Sequence, residues 1–282
     1  MFTTAKEAGV KIVAVGECTI DRHLDRGVET VGGISLNFAV NCRRTGANPV
    51  ALVSCVGTDP AADVIRAKVA REGVDASRLH VIAGATPTQA IRLGAGGERV
   101  FPPGGYDPAV LADWRLSAAD REFIASFDLV AAPYFRQVDQ IFWPAMAAAG
   151  RGAKRVVDLL DGDDLGPQYA GIEPILGHAD VVFLSASPAM MEPLLRYSLD
   201  TRTVIVVTHG AAGSSALAGG KRFGAGAVAV PRAELVDSTG CGDAFQAGFA
   251  IEYFQSGDVA GALAAGAILA GDVIRLVGAT GA

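Results

Sequence analysis

The stretch Val50-Ala51-Leu52-Val53-Ser54-Cys55-Val56, followed by Gly57-Thr58-Asp59-Pro60 and a helical pattern that stops at Gly73, decides the fold. A near-continuous apolar run bounded by turn residues reads as a strand covered on both faces. The stretch after it carries helix punctuation: Thr58 at the N-cap, Pro60 in the first turn, Gly73 as the stop. The strand signature recurs at Lys11–Val15, Leu129–Ala132, Arg155–Asp158, Val181–Leu184 and Val204–Val207. Helical stretches such as Ser117–Ser126 and Gln137–Ala149 lie between these strands. This alternation predicts an α/β fold, a doubly wound and mainly parallel sheet with helices on both faces.

Two segments break the rhythm. Thr19–Val31 is polar and charged where a compact turn is expected, and Thr86–Phe101 reads as a hairpin around Gly94–Gly97. Together they predict a small discontinuous β lid from about residues 18–31 and 86–102, carried on a single domain over residues 1–282. Lid strands with an exposed edge pair readily across copies, so a homodimer through the lid is expected. No linker, repeat or low-complexity tract is visible, and Gly278–Ala282 is expected to fray.

Composition narrows the partners. Of 282 residues 50% are hydrophobic, enough for a full core, which excludes general disorder. The net charge of −6 disfavours nucleic acid and anionic membranes as partners. Cys18, Cys42, Cys55 and Cys241 form no C-x-x-C pair, which leaves zinc and dithiol chemistry without support. Lone thiols suit a reducing compartment, and no signal peptide or long apolar run is seen, so a cytoplasmic location is expected.

The strongest local signal is Val236-Asp237-Ser238-Thr239-Gly240-Cys241-Gly242-Asp243. The stretch after it, Ala244–Gln255, places Phe245, Phe249 and Tyr253 at four-residue spacing with almost no charge, the pattern of a buried helix. Small residues before a helix leave N–H groups free at its positive end, where an anion is favoured and Asp243 should stay ionised. On these grounds alone two readings stand: an anion site, or an acid that stabilises its own helix turn beside tight-turn glycines. A thiol at Cys241 should have a lowered pKa there. Neither a P-loop nor a dinucleotide fingerprint occurs.

The sequence Asp237-Ser238-Thr239-Gly240-Cys241-Gly242-Asp243 resembles the C-terminal D-T-x-G-A-G-D signature of the ribokinase-like (PfkB) carbohydrate kinases. The N-terminal half matches independently: Val15-Gly16-Glu17 with Asp21, then Gly32-Gly33, Leu36-Asn37 and Ala39-Val40. Val56-Gly57-Thr58-Asp59, Gly73-Val74-Asp75 and Val207-Thr208-His209-Gly210 with Gly213 fall in the family's order. The resemblance implies a ribokinase-like fold and phosphoryl transfer from ATP to a sugar hydroxyl. It gives Asp243 the role of base and the amides of Gly240, Cys241 and Gly242 that of an anion hole. Cys241 then contributes backbone rather than a nucleophile.

Asp21, Gly32, Gly33 and Asn37 are implied sugar contacts, against the plainer readings of a solvated loop acid and a local cap. Thr208, Gly210, Gly213 and Ser185 are implied nucleotide contacts. Arg92 and Arg99 read singly as surface arginines; Arg99 is taken as the one that reaches an anionic group. Asp237 resembles a position that helps bind a monovalent cation such as K+ in many relatives.

The sequence also departs from the family. Where relatives show N-x-x-E for Mg2+, this chain has Ser185-Ala186-Ser187-Pro188, so either Glu192 substitutes or the metal is held by water and phosphates. Asp158 keeps only the acid of a D-x-N motif, and the run Asp158, Asp161, Asp163, Asp164 reads as a metal cluster or, more simply, a solvated loop. Ser35–Val40, Thr88–Ile91 with Glu98–Phe101, and Ser185–Pro188 are similar to the fructoselysine 6-kinase branch. The expected acceptor is therefore fructoselysine or a related fructosamine. Another ketose, a nucleoside, or a catalytically silent sugar- or nucleotide-binding regulator are the alternatives.

Overall fold

The computed structural model describes residues 9–94, 99–161, 173–186 and 190–281. The chain opens with β1 (Ile12–Val15), the strands β2 (Thr19–His23) and β3 (Val28–Gly32), and helix α1 (Ile34–Arg44). Then come β4 (Val50–Val56), α2 (Pro60–Arg71) and β5 (Asp75–Val81). Three short strands follow: β6 (Thr88–Leu93), β7 (Arg99–Val100) and β8 (Tyr106–Asp107). The middle holds α3 (Ala118–Ala125), β9 (Leu129–Pro133), α4 (Asp139–Ala148), β10 (Lys154–Asp161), α5 (Glu173–Leu176) and β11 (Val181–Ser185). The chain closes with α6 (Met191–Asp200), β12 (Val204–Thr208), β13 (Ser214–Ala218), β14 (Lys221–Ala225), α7 (Cys241–Ser256) and α8 (Val259–Val273).

Nine strands form the large sheet in the order β14-β13-β12-β11-β10-β9-β1-β4-β5. Strands β12 through β5 along this order are parallel, and β13 and β14 are antiparallel. Side chains alternate across a strand, and β4 shows why its run had to be apolar. Ala51, Val53 and Cys55 join one core with Ile124, Ile141 and Phe142 from α3 and α4. Val50, Leu52 and Val56 join the other with Leu36, Ile65, Phe249 and Leu263 from α1, α2, α7 and α8. The six strands read from sequence are all in this sheet. The unforeseen β5 and β14 are the edge strands, where partial exposure removes the continuous apolar signature, and in the buried β13 two serines, Ser214 and Ser215, interrupt it.

The small sheet has the order β3-β2-β6-β7, with β8 paired to β6. Both rhythm-breaking segments therefore meet, through the parallel pairing of β2 with β6. The hairpin pairs Arg92 with Val100 and Leu93 with Arg99; the Ala95–Glu98 part of the expected turn lies outside the described residues.

Two expectations need correction. Asp59, not Thr58, caps α2: its Oδ1 accepts the Ala62 N–H at 3.3 Å, and its Oδ2 accepts that of Thr86 at 2.9 Å. A carboxylate next to Pro60 reaches the first-turn amides, while the Thr58 hydroxyl accepts from Gly84 instead. The C-terminal stretch is also not frayed over its described part. Ala279 and Thr280 are 0% and 1% exposed, and the Thr280 carbonyl accepts from Lys68 Nζ at 2.9 Å and Arg44 Nη2 at 2.6 Å. Two cations on one carbonyl hold the segment against the body.

Candidate active site

In a parallel sheet the C-terminal strand ends share one edge, the edge where α/β folds bind ligands. From that edge of β1 the chain crosses through Gly16-Glu17-Cys18 into β2, which carries Asp21. Asp21 is 4% exposed and accepts from the Thr19 hydroxyl at 2.7 Å. Gly32 opposes Thr19 in β3, and a Cβ there would fall 2.0 Å from Asp21 Oδ2. Glycine is required because the carboxylate fills that space. Gly33 has φ +99°, and a Cβ would lie 2.6 Å from Cys18 Cα, so two backbone segments touch where α1 begins.

Asn37, one turn into α1, donates from Nδ2 to Asp243 Oδ2 at 2.7 Å. This bond joins the two sequence signatures. Asp243 sits in the first turn of α7, whose flank is anchored by Phe245 and Phe249 against Phe183 at ring separations of 6.4 and 5.4 Å. Burying such a ring contributes about 1.5–3 kcal/mol, so the helix is fixed from its side and its N-terminus stays free for other work. Gly240 precedes it with φ +79°, and a Cβ there would lie 2.2 Å from the Ala279 Cβ. The C-terminal segment thus abuts the turn. The Cys241 N–H is drawn into that turn by the Ser238 carbonyl at 3.3 Å. Of the expected trio of amides, Gly240 and Gly242 are left, and a Cβ on Gly242 would meet nothing within 4 Å. First-turn amides have no intrahelical acceptor, so Asp243 can add its own.

Among the described residues Glu17, Asp21, Asp158 and Asp243 are buried in this region, and the buried Asp237 acts on Asp21 from the loop before α7. Burial is the main force on each of the first four and raises its pKa: Glu17 and Asp243 to about 7, Asp21 to about 6, Asp158 upward. Mutual repulsion adds to the rise: Asp158 and Glu17 act on Asp243, and Asp21 and Asp158 on Glu17. The expectation that Asp243 stays readily ionised at its helix end is thereby overturned, because lost solvation outweighs the amides. The same correction applies to Cys241. Burial pushes its thiol up to about 12, Arg99 lowers it, and Asp243 and Asp237 oppose ionisation further.

Arg99 of β7 offsets this negative charge: it lowers Asp21, Asp158 and Asp243 as well as Cys241. Arg92 pairs instead with Asp25 at 3.8 Å on the surface. Thr208 and Ser185 pair with each other at the ends of β12 and β11. Gly210 (φ +56°) and Gly213 (φ +99°) shape the turn beyond, where a Cβ on Gly213 would lie 2.2 Å from the Ala225 carbonyl. The four residues read as nucleotide contacts therefore stand together on the ligand-binding edge.

Glu192 does not join the site residues. Its side chain is 70% exposed on α6, with Arg196 as an ion-pair partner at 3.8 Å. Among the described residues no group of three or more His, Cys, Asp or Glu is placed to hold a metal ion. Asp163, Asp164, Ser187 and Pro188 lie outside the described residues. Asp158 is not a solvated loop acid: it lies in the buried part of β10, bonds to Gln246 and accepts the Leu160 N–H at 2.9 Å. Glu17 and Gln246 were not singled out from sequence. Glu17 stood inside a quoted motif, and Gln246 lies one helical turn beyond Asp243, on the same face.

A family model described as pfkB family carbohydrate kinase matches residues 11–282. The chain belongs to this family. The pfkB chain is 29% identical over 273 residues to the fructoselysine 6-kinase of Escherichia coli K12, covering 95% of this chain and 98% of that one. Among solved structures, the adenosine kinase of Sinorhizobium meliloti aligns with a TM-score of 0.82 at 18% identity over 96% of both chains. A fructokinase double mutant of Vibrio cholerae, bound to fructose, ADP and a potassium ion, aligns at 0.77 with 20% identity, over 98% of this chain and 96% of that one. The ribokinase of Arabidopsis thaliana with ribose and ATP gives 0.74 at 18% identity, over 97% of this chain and 95% of that one. These structures show that the pfkB kinase has the ribokinase fold. As a member of this family it is a phosphotransferase acting on a sugar hydroxyl. Among the described residues no helix is long and apolar enough to cross a membrane.

Proposed function

We propose that this pfkB kinase transfers the γ-phosphoryl group of Mg·ATP to a primary hydroxyl of a fructosamine such as fructoselysine, with Asp243 as the base. The observation that carries the acceptor class is the set of buried carboxylates Glu17, Asp21, Asp158 and Asp243, with Arg99 as the cation acting on three of them. A buried acid held partly protonated by desolvation gains when a positive charge enters beside it. The secondary ammonium of a fructosamine supplies that charge, and a neutral ketose or nucleoside does not. The 29% identity to a fructoselysine 6-kinase points the same way.

The chemistry follows from positions. Phosphoryl transfer asks mainly for alignment and charge stabilisation. Asp243, with a pKa near 7, takes the acceptor proton close to neutral pH, and Asn37 holds its Oδ2 in place. The amides of Gly240 and Gly242, at the positive end of α7, and the Arg99 guanidinium receive charge from the transferring group. Asp21 and Asn37 orient sugar hydroxyls, and the small sheet serves as the lid that carries Asp21 and Arg99. Mg2+, when bound with ATP, would supply charge neutralisation at the phosphates; among the described residues no group of three or more His, Cys, Asp or Glu is placed to hold it.

The test is an ADP-release assay across fructoselysine, its N-acylated form, fructose, ribose and a nucleoside. Fructoselysine should exceed fructose in kcat/KM by about tenfold or more, about 1.4 kcal/mol of discrimination. N-acylation, which removes the charge, should abolish the advantage. Equal turnover of charged and neutral sugars would reject the fructosamine reading and leave the kinase activity standing.

A further inference from the structure

The loop that begins at Asp237 presents a conflict between family and chain. The family resemblance implies a monovalent cation at Asp237, and the Vibrio cholerae fructokinase is described with a potassium ion. The residues here do not fit one. Such an ion needs oxygen lone pairs pointing at it, and three hydrogen-bond donors already point at the Asp237 carboxylate. Asp237 Oδ1 accepts the Thr239 N–H at 2.9 Å. Oδ2 accepts the Gly278 N–H at 3.1 Å and Arg26 Nη1 at 3.4 Å, with His23 Nδ1 at 3.8 Å. The neighbouring Val236 carbonyl accepts Arg26 Nη2 at 2.7 Å. A carboxylate has room for about four donors; the Thr239 and Gly278 amides and the Arg26 guanidinium take three of these places.

We propose that Arg26 is a built-in cation for this loop, so that the kinase needs no monovalent ion. The guanidinium stands where its charge faces a carboxylate that is 1% exposed and a backbone carbonyl at the entrance to the anion-binding turn. Its planar fork bonds both at once, a geometry a spherical ion meets only with a cage of oxygens. Arg26 also lies on the connection between β2 and β3, the strands that carry Asp21 and Gly32. One side chain therefore links the sugar-facing strands to the loop that precedes Asp243. Thr30 strengthens the link, with its hydroxyl at 2.9 Å from His23 Nε2 and close to Gly278. Arg26 acts through the loop and is a positioning residue. The inference rests on phosphoryl transfer, which the family establishes, and is independent of the acceptor sugar.

The test compares turnover and thermal midpoint in potassium chloride and choline chloride at equal ionic strength, about 0.1 M. Any sugar the enzyme accepts will serve. The unmodified kinase should show the same turnover within twofold, and the same midpoint, in both salts. Arg26→Ala in choline should lose about tenfold in turnover, equivalent to about 1.4 kcal/mol. Potassium or guanidinium ion should restore it, and potassium should raise its midpoint. Arg26→Lys should keep the indifference to salt. A merely bracing arginine would not create a cation requirement when removed. A potassium-dependent rise in turnover or midpoint of the unmodified enzyme overturns the proposal. So does Arg26→Ala with full turnover in choline, or with a loss that neither cation repairs. Should the variant fail to fold, the salt comparison on the unmodified enzyme still decides.

Discussion

Asp237 and Asp243 stand at the two ends of one short loop, both buried, yet their surroundings drive them in opposite directions. Desolvation pushes Asp237 up, but the Thr239 and Gly278 donors and the nearby His23 outweigh it, and its carboxyl is held below the usual range. Asp243 is raised first by desolvation and then by its acid neighbours, against Arg99 and one amide partner in Asn37, and it rises to about 7. Burial sets the cost of a charge in each case. The number of donors decides whether that cost is met. One end of the loop is thus a fixed anion that holds structure, and the other is an acid able to exchange a proton.

The largest effect expected from breaking this contrast is on rate. Asp243→Asn should lower turnover on the order of a thousandfold, the scale of a lost general base, with sugar affinity by calorimetry retained. A variant keeping a tenth of wild-type turnover would remove Asp243 from the chemistry. The second effect is on stability and has opposite signs at the two ends. Asp237→Ala strands two buried amides and Arg26, at a cost of about 1–3 kcal/mol, or about 2–4 °C per kcal/mol for a chain of this size. Asp243→Asn should instead raise the midpoint of the sugar-free protein at pH 8, because it removes a poorly solvated charge. Scanning calorimetry of both variants in one buffer shows whether the signs differ.

A smaller change tests the space around Asp21. Gly32→Ala brings a Cβ onto the carboxylate, which should raise the KM for sugar about tenfold and leave ATP affinity unaltered in a binding titration. The smallest effect is the pH profile. Glu17 and Asp243 have folded pKa values raised from about 4 to about 7. Between those values the folded chain binds more protons than the unfolded one. Their contribution to stability is therefore full below about pH 4 and is lost as pH rises through 7. For Asp237, held low, the contribution is present at neutral pH and lost on acidification. Activity should run the other way from Asp243 stability: kcat/KM rises through about pH 7 as the coupled acids release protons. A flat profile between pH 5 and about 8 would contradict the raised pKa of Asp243.

The sequence exposed the parts of the fold that repeat a local rule. Val50–Val56 had to be apolar along its length because both faces of β4 meet helices, so the central strands could be read directly. The edge strands β5 and β14 could not, because a partly exposed margin tolerates polar residues, and the buried β13 could not, because Ser214 and Ser215 break its apolar run. At the site, Asp21, Asn37 and the Asp237–Asp243 loop were visible as motifs, with Gly32 and Gly33 beside them. Their protonation was misread. The helix end at Cys241 and Asp243 suggested lowered pKa values, and only packing revealed that desolvation wins for both.

Chain order and residue type by themselves determined the alternating strands and helices, the family signatures and the identity of the acid at the head of α7, because these depend on neighbours a few positions apart. The tertiary structure alone decided that Asn37 bonds Asp243, that Glu17 and Asp158 are buried in the same region, and that Arg26 reaches Asp237. Those contacts join residues as many as two hundred positions apart. Their electrostatics depend on how much water the surrounding fold excludes, a quantity no local pattern encodes.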